Sequence, residues 1–337
     1  MTAGSAWLEK QWYRHGLWQL VLLPFSALFW LLSASRRVAF RYGLMASGSL
    51  PVPVIVVGNI TVGGSGKTPL VLWLAQFLRK QGYRPGIVSR GYGSRAVEAC
   101  PVGPVDDPAL KGDEPVLLAR KSASPVWVGR NRAAVGRALL AAHPDCNVIL
   151  CDDGLQHYRL RRNVEIAVVD GQRRFGNGRL LPSGPLREGL WRLNRVDAVV
   201  VNGGDALEGL AAQYQMHLTG ERLTNLRSGE TRPAADLAGL KLHALAGIGH
   251  PQRFFDHLHG LGLDFVTHVF PDHHVYLPGD LDWPDADALL MTEKDAVKCA
   301  AFADNRYWVL PVTAEMDPEF GPKILELLRK LDGRETT

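Results

Sequence analysis

The chain has 337 residues, 46% of them hydrophobic, and a formal net charge of +4. That length exceeds one small core and predicts about two domains, and the modest charge lacks the global basic signature of a nucleic-acid binder. Four cysteines, Cys100, Cys146, Cys151 and Cys299, form no C-x-x-C pair, which argues against a disulfide framework or zinc knuckle and fits reduced thiols in a cytosolic setting.

In chain order the first feature is apolar. Gly16 to Ser35 contain no charged residue, and as a helix they would extend about 30 Å, one hydrocarbon core. Lys10 and Arg14 precede this run, Arg36, Arg37 and Arg41 follow it, and Trp12, Tyr13, Trp18 and Trp30 suit a membrane interface. Three readings stay open: a signal peptide ending at the small residues before Arg36, a buried core helix, and a membrane anchor. Pro24 and the basic flanks leave open whether an anchor spans the bilayer or lies in its surface.

"VPVIVVG" (52–58) is a β-branched run expected to form a buried parallel strand, and the apolar spacing after residue 68 predicts a helix ending at Gln81-Gly82. Between them lies "NITVGGSGKT". Gly63, Gly64 and Gly66 let backbone N–H groups converge on phosphate oxygens, and the helix start adds a positive dipole end. Lys67 is expected to reach the β- and γ-phosphates and Thr68 to hold Mg²⁺. Thr61 stands where the G-x-x-x-x-G-K-[ST] pattern begins with glycine. The alternative is a glycine-rich turn that binds nothing. A nucleotide loop requires ATP on its own side of the membrane, which favours the anchor over the signal peptide.

The runs "RPGIVSRGYG", "PVWVG", "NVILCDDG", "VEIAVVDG" and "VDAVVVNGG" alternate with helical patterns, which implies a parallel sheet covered by helices. Ligands in such sheets bind at the carboxyl ends of strands, so the polar residue after each strand is a candidate. Asp113 and Glu114 of "GDEP" either complement a helix dipole or supply a base that accepts a proton from an attacking hydroxyl. Asp152 and Asp153, after an apolar strand, match the carboxylates that anchor Mg²⁺ beside a phosphate loop, although a turn cap is the alternative. Arg159 to Arg195 contain nine arginines and no lysine, either a solvated basic surface or a site for an anionic substrate.

"QYQMHLTGERLTNLRSGETRP" loses the strand–helix rhythm and is expected to be an extended link. The rhythm then resumes through "LHALAGIG", "HPQRFFDHLHGLG", "ALLMT" and "GPKILELLRKL", a second and smaller unit. "FPDHHVY" carries Asp272, His273 and His274, of which adjacent histidines point apart and rarely serve one site. Thr292 to Asp295 of "MTEKDAVK" either read a nucleotide base or cap a helix.

The ordered set "ITVGGSGKTP", "SRGYG", "GDEP", "DDGLQH", "GNGRLLPSGPLRE", "AGIGHPQRFF", "FPDHH" and "MTEKDAVK" resembles the tetraacyldisaccharide 4'-kinase family, membrane-associated lipid A kinases of Gram-negative bacteria. The resemblance covers nearly the whole chain, and a threonine at the head of the loop is usual in that family. It implies ATP and Mg²⁺, and phosphorylation of the 4'-hydroxyl of an acylated glucosamine disaccharide 1-phosphate to give lipid IVA. It also implies a place at the cytoplasmic face of the bacterial inner membrane. By the same resemblance Thr61, Val62, Gly63, Gly64, Ser65, Gly66, Lys67 and Thr68 bind the nucleotide, with Lys67 also catalytic. Thr68, Asp152 and Asp153 hold the metal, Asp113 is the base, and His273 is its partner in preference to His274.

The expected architecture is therefore α/β: a P-loop NTPase-like, mostly parallel sheet with a smaller second α/β domain and an N-terminal hydrophobic helix. The expected boundaries are 1–45 for the helix, 46–215 for the P-loop core, 216–235 for a linker and 236–337 for the second domain.

Overall fold

The computed structural model describes residues 11–14, 16–91, 97–210 and 212–331; Lys10 and the Tyr92-Gly93 pair of "SRGYG" lie outside them. A long helix, α1 (Leu17–Arg41), precedes an α/β unit. The unit begins with β1 (Val54–Gly58), α2 (Lys67–Lys80), β2 (Pro85–Ser89), β3 (Cys100–Val102), the single turn α3 (Pro108–Lys111) and α4 (Asp113–Lys121). It continues with β4 (Val126–Val128), α5 (Arg132–Ala142), β5 (Val148–Asp152), β6 (Val164–Asp170), β7 (Ala198–Asn202) and β8 (Gln213–Thr219).

The smaller unit holds β9 (Arg222–Asn225), β10 (Thr231–Pro233), β11 (Leu242–Ala246), α6 (Pro251–Gly260) and β12 (Phe265–Val269). Then come β13 (Ala288–Thr292), α7 (Glu293–Cys299) and β14 (Tyr307–Leu310), after which the chain returns to the first unit as β15 (Thr313–Met316) and α8 (Phe320–Leu331).

The larger sheet runs β15-β8-β7-β6-β1-β5-β2-β4-β3 and is parallel except at its two edges. Its central strands are apolar and buried along their whole length, as strands covered on both faces must be. On one face Leu70, Leu74 and Leu78 of α2, Val116 and Leu118 of α4 and Phe320 and Ile324 of α8 close the core. The i, i+4, i+8 spacing of the α2 leucines aligns them on one stripe. On the other face Val135 and Leu139 of α5 meet Leu186 and Leu193 of a long irregular segment. Strand order reverses at β1, with β5 and β2 on one side and β6 and β7 on the other, so a crevice opens at its carboxyl end.

The smaller sheet runs β10-β9-β14-β13-β11-β12. Phe254, Phe255 and Leu258 of α6 cover one face, and Ala296 and Cys299 of α7 cover the other.

Strand pairing divides the chain differently from the expected boundaries. β9 and β10, placed at 222–233, are strands of the smaller sheet rather than linker, because β9 pairs antiparallel with β14. Residues 313–331 belong to the larger unit: β15 pairs with β8, and Phe320 of α8 packs against Trp73 of α2. Two chain passes therefore join the units, near Gly220 and Pro311, where an added Cβ on Gly220 would meet the Pro311 carbonyl at 2.3 Å.

α1 is docked along one stripe, and many of its large apolar side chains are exposed. Ser26 Oγ donates to the Leu180 carbonyl (3.0 Å) and accepts from Ser183 N (3.0 Å), while Ser183 Oγ donates to the Gln19 carbonyl (2.9 Å). Further along, Arg37 pairs with Glu188 at 3.6 Å and Phe40 meets Tyr158. The docked side is thus polar, whereas Leu17, Trp18, Val21, Phe25, Leu28, Trp30 and Leu32 are exposed.

Candidate active site

The loop between β1 and α2 is built from both its own glycines and its neighbours. Gly63 and Gly66 have φ of 100° and 94°, a region open to glycine without Cβ strain. A Cβ on Gly66 would also stand 2.3 Å from Asn202 Nδ2, which donates to the Ser65 carbonyl (3.1 Å) from the end of β7. The loop entrance is extended instead: Thr61 bridges antiparallel to Leu186, and Val62 N donates to the Pro185 carbonyl (2.9 Å). Extended backbone is open to any residue, which is why threonine serves where the usual pattern has glycine.

Asp152 ends β5, buried, with neither carboxylate oxygen hydrogen-bonded. Its carboxyl is pushed up by burial and by the nearby charges of Glu114 and Asp153. Asp153 follows in the left-handed region at φ 47°. Lys67 Nζ lies 3.7 Å and Arg187 Nη1 3.4 Å from its Oδ1. Burial alone would raise this carboxyl, but Lys67 and Arg187 outweigh it and hold it at about 2.

The side chains suit a hydrated divalent cation. A buried carboxylate with both oxygens unpartnered is costly unless something completes it; the charge of Lys67 acts on it, and Thr68 follows Lys67 in the first turn of α2. Among the described residues no group of three or more His, Cys, Asp or Glu forms a metal cage. Mg²⁺ does not need one, because it is held by one or two carboxylates with water and phosphate oxygens.

A second cluster joins the two units. Asp113 opens α4 and is buried. His273 Nδ1 sits 3.0 Å from Asp113 Oδ2. His274 points elsewhere, to Asp280 (3.2 Å). Lys294, at the start of α7, reaches Glu114 Oε1 and Asp272 Oδ1 at 3.1 Å each, and Asp113 Oδ2 at 3.9 Å. Burial would raise the Asp113 carboxyl, yet the His273 hydrogen bond and Lys294 hold it down at about 2. Burial lowers His273 and Asp113 raises it more, so its net shift is upward. Lys294 is likewise raised, because Glu114, Asp113 and Asp272 overcome its burial.

Between the units lies a cavity of about 360 Å³ lined by the phosphate loop, Leu72, Glu114, Asn202, Phe254, Lys294 and Val312. Its roof is the turn after β11. Gly249 approaches Gly64 so closely that a Cβ on Gly249 would stand 2.3 Å from Gly64 N. Arg173 Nη1 donates to the Gly249 carbonyl (2.6 Å). Asp170, ending β6, binds His250 at 2.9 Å and Arg253 Nη2 at 2.7 Å. Burial raises the Asp170 carboxyl, but His250 and Arg253 bring it below its ordinary value.

Asp170, Asn202 and Arg187 carried no specific expectation, although the first two are polar residues at strand carboxyl ends. Lys294 stood in a motif expected to read a base or cap a helix. Its neighbour Thr292 does cap α7, and Asp295 is buried against Gly247 N and the Tyr276 hydroxyl. The arginines of 159–195 divide: Arg162 and Arg192 neutralise Glu165, Arg187 faces Asp153, and Arg159 makes no ion pair among the described residues.

A family model described as LpxK, tetraacyldisaccharide-1-P 4'-kinase, matches residues 18–329. The chain is 52% identical over 332 residues to the tetraacyldisaccharide 4'-kinase of Methylobacillus flagellatus, covering 98% of each chain. It is 52% identical over 339 residues to that of Chromobacterium violaceum, covering 97% of this chain and 99% of that one. The crystal structure of the "apo" form of LpxK from Aquifex aeolicus in complex with ATP superposes with a TM-score of 0.78 at 29% identity, covering 92% of this chain and 99% of the other.

Proposed function

The chain belongs to the tetraacyldisaccharide-1-P 4'-kinase family, and from that premise we propose how its own residues move a phosphoryl group from ATP to the 4'-hydroxyl of a tetraacyldisaccharide 1-phosphate. The product is lipid IVA, in lipid A biosynthesis. The observation that carries the assignment of roles is that the phosphate loop of the larger unit and Glu114 and Lys294 of the Asp113 cluster line one cavity.

The amides of 61–68 cradle the triphosphate, and Lys67 neutralises charge at its reacting end. Thr68, Asp152 and Asp153 would hold Mg²⁺, which when bound neutralises phosphate charge. Asp113 accepts a hydrogen bond from the sugar hydroxyl and takes its proton at Oδ2. His273 and Lys294 keep Asp113 ionised and aimed. A carboxyl held at about 2 is a weak base. Phosphoryl transfer tolerates that, because its loose transition state asks for positioning and charge neutralisation rather than early deprotonation. His273 and Lys294 belong to the smaller unit, so the catalytic set is complete only when the units are closed on each other.

The apolar outer face of α1 lies in the cytoplasmic leaflet of the inner membrane. Supporting this, the helix is docked from Gln19 to Phe40 on the larger unit, so crossing the bilayer would draw Glu188 and its partners into hydrocarbon. Acyl chains of the substrate then stay at the surface while its sugar enters the cleft.

The test is transfer of γ-labelled phosphate from ATP with Mg²⁺ to the lipid disaccharide in detergent micelles, read by thin-layer chromatography. Label should move to lipid. Label appearing only as free phosphate would show an ATPase without this acceptor.

A further inference from the structure

The smaller unit reaches the site through three stretches of chain, and all three meet at one buried carboxylate. The turn after β11 brings Gly249 against Gly64, the loop after β12 brings His273 to Asp113, and the start of α7 brings Lys294 to Glu114 and Asp113. Asp295, the residue after Lys294, is fully buried. Its Oδ2 accepts from Gly247 N (3.1 Å) and from Thr292 Oγ1 (2.7 Å), and its Oδ1 accepts from the Tyr276 hydroxyl (3.1 Å). Lys298 Nζ, 2.8 Å from Oδ1, balances the charge. A carboxylate only accepts, so this one group can satisfy donors from all three segments at once. Turn and loop also touch directly: a Cβ on Gly247 would stand 2.6 Å from the Tyr276 hydroxyl and 3.2 Å from the Pro271 carbonyl.

His273 needs such an anchor. Its φ of 60° is the left-handed region, costly for a residue with a Cβ and kept only where the surroundings over-determine it. On the near side of its loop Phe270 N donates to the Ala246 carbonyl (3.0 Å). On the far side Tyr276, three residues beyond His273, is buried with its ring edge-on to Phe270 and its hydroxyl on Asp295. Burial and the Asp295 charge push that hydroxyl far above its ordinary value, so it stays a donor at any working pH. Asp295, Tyr276 and Gly247 do not line the cavity, so they reach the reaction through the residues that they hold.

We propose that Asp295 is a positioning residue for phosphoryl transfer: it ties the roof turn, the His273 loop and the first turn of α7 into one piece, so that His273 and Lys294 arrive at Asp113 together. The assignment rests on the kinase reading above. Held from behind, His273 meets Asp113 in its working orientation without having to order its loop at each closure.

The experiment measures kcat and the KM for ATP of Tyr276→Phe and Asp295→Asn, each alone and combined with His273→Ala, by label transfer to the lipid disaccharide, and follows the His273 ring by NMR titration. Tyr276→Phe keeps the ring and removes one donor, so it loosens the loop without emptying the core. It should lower kcat about 10-fold with the KM for ATP within about 2-fold of wild type, and cost less than about 2-fold once His273 is already alanine. Asp295→Asn should cost about 100-fold and keep part of that cost beside His273→Ala, because Lys294 is released too. Burial and Lys294 lower His273 while Asp113 and Asp272 raise it more, so a loosened contact should bring its titration in Tyr276→Phe down toward 6.5. The proposal is overturned if Tyr276→Phe keeps either the wild-type kcat or the wild-type His273 titration. It is also overturned if Tyr276→Phe costs the same with and without His273, since a merely structural loss ignores that partner. Should Asp295→Asn fail to fold, Tyr276→Phe decides alone. Wild type that labels no lipid is a different result, which defeats the kinase reading itself and this proposal with it.

Discussion

His273 Nδ1 stands 3.0 Å from Asp113 Oδ2, although the two residues belong to different units and lie 160 positions apart. A contact between units at the reacting carboxylate makes catalysis depend on closure. Asp113→Asn should lower kcat about 10²- to 10⁴-fold, the range for removing a positioned general base, with ATP affinity nearly intact. His273→Ala should lower kcat less, because Lys294 still faces Asp113. Steady-state rates with nucleotide binding measured separately check both, and a near-normal rate for Asp113→Asn would remove it from the base role.

The same pair gives closure a pH window. His273 is raised above 6.5, so its stabilising share is complete below that pH and fades as pH climbs through the raised value. Asp113 is lowered to about 2 from 3.8, so its share is present above 3.8 and fades as pH falls toward 2. The melting-temperature difference between wild type and His273→Ala should therefore be greatest between pH 3.8 and 6.5 and shrink above it. A difference that grows with alkalinity would contradict the arrangement.

Asp152 should show a conflict between stability and activity. Its two unpartnered oxygens make it a costly buried acid without a cation. Asp152→Asn should raise the melting temperature in EDTA while lowering kcat and shifting the Mg²⁺ dependence about 10-fold or more to higher concentration. An unchanged Mg²⁺ profile would place the ion elsewhere.

Gly66→Ala should disable the phosphate loop by two routes, a φ of 94° and a Cβ 2.3 Å from Asn202 Nδ2. Displacing Asn202 frees the Ser65 carbonyl and shifts the amides that face phosphate, and misplacement on the ångström scale costs about 100-fold in rate. Thr61→Gly, by contrast, should leave the rate within a few-fold, since the entrance is extended. The two variants' ATP titrations, read side by side, distinguish the roles.

The two faces of α1 should separate by mutation. Ser26→Ala strands the buried Ser183 N–H and should cost about 1–3 kcal/mol of stability with vesicle binding retained. Phe25→Lys with Leu32→Lys, on the bare face, should leave melting nearly unchanged and release the protein from vesicles in a sedimentation assay. Co-sedimentation equal to wild type in the second variant would count against the membrane reading.

Much of the larger unit is legible from local chemistry. β-branched runs, the i, i+4 leucines of α2 and the glycines of the phosphate loop each depend on a few neighbouring residues, so strand, loop and helix follow from pattern alone. Polar residues at strand ends marked Asp152, and the same rule applied to Asn202, which lines the cavity, and to Asp170, which holds its lining residues His250 and Arg253, points to the same crevice. Thr61 is instructive in the other direction: its extended conformation comes from Leu186, a partner 125 positions away that no local pattern announces.

From its residues alone, then, the chain determined a glycine-cradled loop before a helix, apolar strands ending in carboxylates and a long, largely apolar N-terminal helix, because propensity, period and turn geometry act over short distances. Tertiary structure alone decided that Asp113 meets His273 while His274 turns to Asp280, that Lys294 joins the two units, and that β15 and α8 return to the first sheet. It also decided which arginines are spent on Glu165 and Glu188 and which stay unpaired. Those outcomes turn on which distant side chains share a crevice, where burial and Coulomb energy are settled among residues that sequence spacing does not bring together.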